Sequence, residues 1–209
     1  MALAIRLGLW ARILTFELDV STMSDISRYP VPSLASLPAD IRERIEAVAE
    51  KSGFIPNVFV VLAHRPDEFR AFFDYHDAVM SREGGLTKAE KEMIVVATSA
   101  ANDCTYCVVA HGAILRIFAR DAYIADQIAV SHRSAPLSTR QHAMLDVAVK
   151  FARVPQSVDD ADYALLYEQG FDDEDIWDIA AISGLFALSN RMAHLTAMQP
   201  NPEFYIMGR

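Results

Sequence analysis

The chain has 209 residues, of which 52% are hydrophobic and 22% are charged. This balance is typical of a globular protein, so disorder throughout the chain is excluded. The net charge is −9 and lysines and arginines do not cluster, which excludes nucleic acid as a favoured partner because a phosphate backbone would be repelled. Glycine occurs only 8 times, which favours helices over a fold built from many β-turns.

The length predicts one domain, at ~150 residues per domain, and we place it at residues 24–209 after an N-terminal extension at residues 1–23. The extension resembles the apolar part of a secretory signal, but Arg6 and Arg12 interrupt it and acidic residues follow. No stretch reaches the ~18 apolar residues expected of a transmembrane helix. We therefore expect a cytoplasmic protein that does not associate with membranes.

Helical periodicity runs along the whole domain, and no segment alternates between apolar and polar residues as a half-buried strand does. Prolines at helix starts and glycines at helix ends mark several boundaries. The predicted helices cover residues 38–52, 56–64, 66–81, 88–101, 104–117, 121–130, 139–153, 158–170 and 176–198. The sequence thus predicts an all-α protein, a multi-helix bundle of about eight helices.

Short polar motifs before the apolar runs predict where several helices begin. The predicted N-caps are Thr87, Asp103, Ser138 and Ser157. Two of these caps have a partner three residues later, Glu90 after Thr87 and Gln141 after Ser138, which is the pattern of a capping box. In that motif the two side chains satisfy each other's free backbone amides.

The last long helix, at residues 176–198, is apolar on nearly every side. A helix of this kind is expected at the centre of a bundle or at an interface between subunits. We therefore predict that the protein assembles into a homo-oligomer through this helix.

A weak internal echo links two parts of the sequence. Each part begins with an acidic residue, continues as an apolar run and ends with a polar pair four residues apart. The pair is Cys107 and His111 in the first part, and Asn190 and His194 in the second. The echo is explained either by two pseudo-repeats or by two unrelated amphipathic helices.

The only two cysteines, Cys104 and Cys107, form a C-x-x-C motif, which indicates redox or metal chemistry in an intracellular protein. At about 100° per residue, Cys104, Cys107 and His111 fall within about 60° of one helix face. Neighbours at these spacings are close enough for side-chain contact. The spacing of the cysteines also permits a disulfide with a small adjustment.

Two effects act on the pKa values of these thiols. The positive end of the helix dipole favours a thiolate at Cys104, but it contributes only ~0.3–1 kcal/mol at exposed sites. His111 is expected to accept a proton from Cys107 at contact range, so we predict Cys107 as the nucleophile. Glu90 and Glu92 are candidates to orient the imidazole, although Glu90 is better explained by the capping box.

Two other interpretations of these residues stay open. Zinc could bind Cys104, Cys107, His111 and one carboxylate, although three ligands from two turns of one helix make a poor tetrahedral frame. The thiols could instead be inert parts of the core, as buried cysteines often are. We expect neither, and we interpret His194 as a structural residue.

The same residues resemble a known family. The string Leu86-Thr-Lys-Ala-Glu-Lys-Glu92, followed by Cys104-Thr-Tyr-Cys107 and His111, is similar to the signature of the AhpD-like alkylhydroperoxidases. These proteins belong to the carboxymuconolactone decarboxylase superfamily. The segments Gly53-Phe-Ile-Pro-Asn57 and Asn190-Arg-Met-Ala193 are similar to patterns in its peroxidase-related branch, and the similarity covers roughly residues 24–205.

The resemblance implies an all-helical homo-oligomer whose cysteine pair cycles between dithiol and disulfide. It implies that Cys107 attacks the peroxide and that Cys104 donates a proton and then closes the disulfide. Glu92 and His111 match the family's proton relay. The expected partners are a hydroperoxide substrate and an unidentified dithiol or protein reductant, and no cofactor or metal is expected. A haem attachment would need a histidine where Val108 stands.

One position departs from the family pattern, because Tyr106 stands where AhpD itself often has a histidine. The departure leaves the reducing partner open. The alternative function is a non-catalytic helical oligomer whose cysteines sense redox state or bind a metal. Acid–base decarboxylation is disfavoured, because the decarboxylases of this superfamily generally lack the cysteine pair.

Overall fold

A computed structural model describes residues 25–209. The predicted N-terminal extension and its boundary with the domain both lie outside these residues. The α-helices are α1 Ala39–Ser52, α2 Asn57–Leu62, α3 Pro66–Ser81, α4 Lys88–Ala101, α5 Thr105–Ala119, α6 Ile124–Ser131, α7 Thr139–Arg153, α8 Asp160–Glu168, α9 Asp173–Thr196 and α10 Glu203–Ile206. Eight of them have seven or more residues, and residues 25–209 contain no β-strand. The all-α prediction of about eight helices is therefore confirmed.

The two predicted capping boxes form at the starts of α4 and α7. The hydroxyl of Thr87 accepts a hydrogen bond from the amide of Glu90, and the Glu90 carboxylate accepts one from the amide of Thr87 at 2.9 Å. Ser138 and Gln141 make the same reciprocal pair. These caps were predictable because each depends on residues only three positions apart.

Four helix starts differ from the prediction, and one of them is α9, which is capped by Asp172 and begins at Asp173 rather than at residue 176. Asp103 has φ of 55° and ends α4 rather than capping α5, because aspartate tolerates the left-handed conformation, and Cys104 is the N-cap of α5. Helix α8 is capped by Asp159 instead of Ser157, since Asp159 and the aspartate three residues later complete a capping box. Helix α6 begins at Ile124 because the carboxylate of Asp121 accepts the amides that follow it. The short α10 was not predicted.

Helix α4 lies at the centre of the bundle and packs against α5, α6, α7 and α9. Its residues from Glu90 to Ser99 are all buried. Helix α9 packs on α4, α7, α3 and α5 with one side, while Trp177, Leu188 and Leu195 on its other side are exposed. The predicted central position thus belongs to α4, and α9 is a flanking helix with an uncovered apolar face.

Buried polar contacts fix the start of α4. The ammonium of Lys91 donates to three backbone carbonyls at the end of α3 and in the loop after it, and burial lowers the pKa of this lysine. In the same loop Arg82 forms an ion pair with the buried Asp178, and the amide of Gly85 donates to Asp175 at 2.9 Å. A side chain at Gly85 would overlap the Asp175 carboxylate. These contacts to α9 set the position of Glu92, which follows Lys91 in the chain.

Candidate active site

The two cysteines lie where α4 turns into α5. The left-handed residue Asp103 reverses the chain, and the amide of Cys104 then donates to the carbonyl of Ser99 at 2.9 Å. The two helices form an antiparallel hairpin, so the start of α5 lies beside the end of α4. Cys104 and Cys107 are both free thiols, and their relative exposures are only 2% and 1%.

The two thiols interact directly and have opposite pKa shifts. Interaction with the Cys107 thiol, helped by the Cys107 amide, lowers the pKa of Cys104 to about 6 in spite of burial. The same interaction with Cys104, together with burial, raises the pKa of Cys107. Each thiol therefore shifts the pKa of the other, and the pKa of Cys104 is the one that is lowered.

Helix α9 supplies two polar neighbours of the sulfurs. The sulfur of Cys107 lies 3.5 Å from the hydroxyl oxygen of Ser189. The amide of Asn190 donates to Ser99 at 3.0 Å and accepts from Asn102 at 2.9 Å, and it lowers the pKa of both cysteines. Ser189 and Asn190 lie more than eighty residues further along the chain than Cys107. The weak echo and the family-like segment Asn190-Arg-Met-Ala193 pointed to Asn190, and nothing pointed to Ser189.

His111 is held by the carboxylate of Glu92. The distance between His111 Nδ1 and Glu92 Oε2 is 2.8 Å, and the side chains are 15% and 6% exposed. The imidazole also packs edge-on against Phe186, with ring centres 4.6 Å apart. Glu90, the other candidate, binds Arg140 and caps α4. The structure thus brings Glu92 rather than Glu90 to the imidazole.

Within residues 25–209 no hydrogen bond joins Cys107 to His111, and proton transfer between them stays a prediction. A hydrogen bond to a carboxylate is stronger than one to a thiol, and Glu92 turns the imidazole to itself. The hydrogen-bond partner of the Cys107 sulfur is Ser189. The lowered pKa of Cys104 agrees in direction with the helix-dipole effect.

A small pocket of about 220 Å³ opens at Cys104. Thr105 and Tyr106 line it from α5, and His194 lines it from the end of α9. The Nε2 atom of His194 donates to the carbonyl of Asn102 at 2.9 Å, and its positive charge helps to lower the pKa of Cys104. The structural interpretation of His194 was therefore incomplete, because this residue borders the thiols.

Tyr106, the residue that departs from the family pattern, lies on the side of α5 that packs against α2. Its hydroxyl accepts a hydrogen bond from the amide of Val58 at 3.0 Å, and burial raises its pKa. It therefore joins α2 to α5. Its hydrogen bond with Val58 and its burial do not indicate a role for Tyr106 in proton transfer at the sulfurs.

A larger cavity of about 450 Å³ lies away from the thiols, between α3 and the exposed side of α9. Apolar side chains such as Phe72, Leu185 and Leu188 line most of it. No group of three or more histidine, cysteine, aspartate or glutamate side chains within residues 25–209 has a geometry that could hold a metal ion. In the same residues no helix is long and apolar enough to cross a bilayer.

Comparisons with known proteins place the chain in a family. Residues 66–138, which include both cysteines, Glu92 and His111, match the model of the carboxymuconolactone decarboxylase family. No curated protein sequence is significantly similar to the chain.

Two solved structures are similar in both sequence and fold. An uncharacterized peroxidase-related protein with an alkylhydroperoxidase AhpD core, from Ralstonia eutropha JMP134, is 62% identical with a TM-score of 0.88, covering 90% of this chain and 98% of that one. An uncharacterized peroxidase-related protein from Silicibacter sp. TM1040 is 38% identical with a TM-score of 0.84, covering 89% and 97%.

A third structure, the debrominase Bmp8 in its apo form, shares the fold at 16% identity, with a TM-score of 0.72 and coverage of 89% and 97%. The two closer similarities extend over nearly the whole of both chains, and the family match spans the cysteine motif. The chain therefore belongs to the AhpD-like proteins of the carboxymuconolactone decarboxylase superfamily.

Proposed function

We propose that the protein is a thiol-dependent hydroperoxide reductase that uses Cys104 and Cys107 as a redox pair. The observation that carries this proposal is a pair of free, buried thiols one helical turn apart that shift each other's pKa in opposite directions. A thiolate is the form of cysteine that reacts with peroxides. The peroxidase-related relatives support the same reaction class.

In the proposed oxidation the thiolate of Cys107 attacks one peroxide oxygen. The O–O bond breaks, the other oxygen leaves as an alcohol after it takes a proton, and Cys107 becomes a sulfenic acid. Cys104 then attacks the sulfur of Cys107, and an S–S bond replaces the S–O bond. The released hydroxide takes a proton to become water, so one hydroperoxide oxidises two thiols to one disulfide.

Because Cys104 is the thiol with the lowered pKa, attack by Cys107 needs a proton shift within the pair. The proton of Cys107 moves to the sulfur of Cys104, which leaves the thiolate on Cys107 and makes Cys104 a thiol. Cys104 then donates this proton to the leaving alcohol oxygen. Attack by Cys104 itself is the rival order, and it needs no such shift.

We assign the supply of further protons to Glu92 and His111. The carboxylate holds Nδ1 of the imidazole, which leaves Nε2 as the nitrogen that takes up or releases a proton. His111 lies one helical turn after Cys107. Without a direct hydrogen bond to the sulfur, the proton passes between His111 and the pair through a bridging molecule such as water or the substrate.

Peroxide consumption with dithiothreitol as reductant tests this function. We expect turnover by the natural chain and its loss in Cys107→Ser, while Cys104→Ser treated with peroxide in the absence of reductant stops at a sulfenic acid on Cys107. A sulfenic-acid probe located by mass spectrometry identifies the attacking sulfur. Equal turnover by the natural chain and Cys107→Ser would contradict the proposed role of Cys107.

The alternative of redox sensing is favoured by one observation, the nearly complete burial of both sulfurs. A sensor would be oxidised once by peroxide and would not turn over at a rate set by the reductant. Steady-state consumption many times above the protein concentration would exclude it. Stoichiometric zinc in protein purified without chelator, lost in Cys104→Ala, would instead indicate metal binding.

We also propose that the protein is a homo-oligomer. The uncovered face of α9 supports this, because Trp177 is 74% exposed and Leu188 and Leu195 are each more than half exposed. Large exposed apolar patches are typical of protein interfaces. Light scattering should give a particle larger than the 23.2 kDa chain, and a particle of that mass would contradict the proposal.

A further inference from the structure

His76 on α3 is a second imidazole beside the candidate active site. Its ring packs edge-on against Phe186, with ring centres 6.4 Å apart, and the ring of His111 packs edge-on against the same phenylalanine at 4.6 Å. One buried aromatic ring of α9 is therefore a neighbour of both imidazoles, although these come from α3 and α5. The proposed oxidation uses His111 and gives His76 no role.

Each imidazole is held by a carboxylate through the same ring nitrogen. Nδ1 of His76 lies 3.1 Å from Oδ1 of Asp77, and Nδ1 of His111 lies 2.8 Å from Oε2 of Glu92. Because a carboxylate accepts hydrogen bonds and does not donate them, Nδ1 carries the proton in each neutral ring and Nε2 is the atom that binds a further one. No buried side-chain nitrogen or oxygen in residues 25–209 lacks a hydrogen-bond partner, so these two unpaired Nε2 atoms are accessible to solvent.

The exposure of these side chains decreases from the surface to the interior. Asp77 is 57% exposed and His76 is 28% exposed. His111 and Glu92, at 15% and 6%, are more deeply buried. His76 is thus the intermediate member, because it reaches solvent and still packs on the phenylalanine that contacts His111.

Arg44 on α1 fixes the carboxylate of the outer pair. Its guanidinium donates to Oδ2 of Asp77 at 2.6 Å, which leaves Oδ1 to His76, and it forms a weaker ion pair with Asp74. It also lies over the ring of Phe73, and the His76 ring packs edge-on against that ring with 6.2 Å between centres. These contacts hold the imidazole in one orientation.

The charged groups around His76 belong to several helices. Burial has the largest effect on the pKa of His76 and lowers it, while Asp77 beside it and Glu92 on α4 raise it. Positive charge on His111 of α5 lowers it. Arg44 acts through Asp77, and α9 contributes an uncharged aromatic ring. A proton on one imidazole therefore disfavours a proton on the other, which suits two groups that pass a proton on rather than both keeping one.

This inference rests on the proposed function. We propose that His76 exchanges protons between solvent and the Glu92–His111 pair, so that His111 is protonated again before each new turnover. Because it acts through His111, His76 is a positioning residue rather than a catalytic one.

The proposed oxidation takes up a proton in its last step. When Cys104 attacks the sulfenic acid, the S–O bond breaks and hydroxide leaves, and the imidazolium of His111 gives it a proton to form water. His111 is then neutral. An acid in solution protonates Nε2 of His76, and this proton passes through a bridging water to Nε2 of His111. The imidazolium of His111 is restored, and no electrons move in the exchange.

Turnover at low buffer concentration tests this role. In His76→Gln the side-chain amide still donates to Asp77 but binds no proton, and His76→Ala leaves space for free imidazole. His132→Gln is the matched control, because His132 also pairs with a carboxylate, that of Asp146 at 2.9 Å. Hydroperoxide consumption with dithiothreitol is measured at increasing imidazole concentration.

We expect a loss of about tenfold or more in both His76 variants at low buffer concentration, which is less than the ~10²–10⁴-fold of an acid–base group that acts on the substrate itself. Added imidazole should restore turnover, most fully in His76→Ala, and His132→Gln should match the natural chain throughout. A loss of the same size at every imidazole concentration, in variants that are folded by circular dichroism, would overturn the proposal. Full turnover in His76→Gln at low buffer concentration would also overturn it.

A titration without hydroperoxide tests the link between the two imidazoles. The pKa of His76 is measured in the reduced protein from the NMR signal of its Cε1 proton. His111→Gln removes the positive charge that lowers this pKa and leaves Glu92 in place, so the pKa of His76 should rise. His132→Gln should leave it unchanged. An unchanged pKa of His76 in His111→Gln would overturn the proposal.

The two measurements separate this proposal from the function on which it rests. If the natural chain consumed no hydroperoxide while His111→Gln raised the pKa of His76, the proposed function alone would be contradicted. If turnover were normal and independent of both His76 and imidazole, the role of His76 alone would be contradicted.

Discussion

The ends of α5 and α9 that meet at the sulfurs carry similar pairs of residues in different surroundings. On α5, Cys107 is followed four residues later by His111, and on α9, Asn190 is followed four residues later by His194. His111 is mostly buried and hydrogen-bonded to the Glu92 carboxylate at 2.8 Å, whereas His194 is exposed and bonded to a backbone carbonyl at 2.9 Å. Histidine is therefore suited to proton transfer at position 111 and to stabilising the nearby thiolate of Cys104 at position 194.

The comparison also explains why the two pairs lie together. The α5 pair supplies a thiol and an imidazole, and the α9 pair supplies an amide and an imidazole beside the same two sulfurs. The buried amide of Asn190 lowers the pKa of both thiols, and His194 lowers the pKa of Cys104. The weak echo in the sequence thus corresponds to two helices that face each other across the cysteine pair.

The largest expected effect is on the α5 side. In Glu92→Gln the imidazole loses the carboxylate that holds it. We expect hydroperoxide turnover to fall by about 10²–10⁴-fold, the usual contribution of a positioned acid–base group, and its pH profile to change. Steady-state peroxide consumption from pH 5 to 9 measures both effects.

A second carboxylate–imidazole pair provides the control for that variant. His132 and Asp146 lie 2.9 Å apart on the surface, and Asp146→Asn should leave turnover close to that of the natural chain. A similar loss in both variants would show that the effect of Glu92→Gln comes from folding rather than from proton transfer.

The next largest effect is expected from loss of the Asn190 side-chain amide on α9. In Asn190→Ala the groups of Ser99 and Asn102 lose their buried partner, which should cost about 1–3 kcal/mol of unfolding free energy. The pKa of both thiols should rise, since Asn190 lowers both. Alkylation with iodoacetamide should therefore slow, by about tenfold for each unit that the pKa rises above the assay pH.

Asn201 provides the matched control, because its side chain is also buried and also makes two hydrogen bonds, in its case to backbone groups. Asn201→Ala should lower stability by a similar amount and leave the alkylation profile unchanged. If it altered the thiols as Asn190→Ala does, the effect of Asn190 would be a general loss of structure.

The smallest effect concerns the charge of His194. In the natural chain one thiol should be alkylated with a midpoint near pH 6, the pKa of Cys104, and the other should stay protonated well above pH 7. His194→Gln removes a positive charge that favours the Cys104 thiolate, so this midpoint should move upward. The free-energy change should be on the order of 1 kcal/mol or less.

Added salt sharpens this test, because screening should reduce the difference between His194→Gln and the natural chain. His64 is an exposed histidine that does not line the small pocket at Cys104. His64→Gln should therefore leave the midpoint of Cys104 alkylation unchanged. A downward shift in His194→Gln would show that the imidazole acts on Cys104 in another way.

The sequence predicted the helices well because their signals are local. The capping boxes at Thr87 and Ser138 formed as predicted, since each needs only residues three positions apart. Asp103 was assigned as a cap and is instead a left-handed residue at the end of α4. Aspartate is common in both roles, so its identity alone could not decide between them.

The candidate site was less predictable. The choice of Glu92 over Glu90 came from the family string, because both residues precede the cysteines on one helix. The proton acceptor of Cys107 depended on which way the imidazole turned, and a carboxylate from another helix decided that. The contact of Ser189 with Cys107 and the small pocket at Cys104 arise where α9 packs against α5. No short sequence motif indicates such packing.

The most direct test of the redox pair is a single turnover. The reduced protein is mixed with one equivalent of hydroperoxide, and the free thiols and the mass of the peptide that holds Cys104 and Cys107 are then measured. We predict that both thiols disappear together, that the peptide loses the mass of two hydrogen atoms, and that one equivalent of alcohol forms. Two intact thiols beside unreacted hydroperoxide would contradict the proposed chemistry.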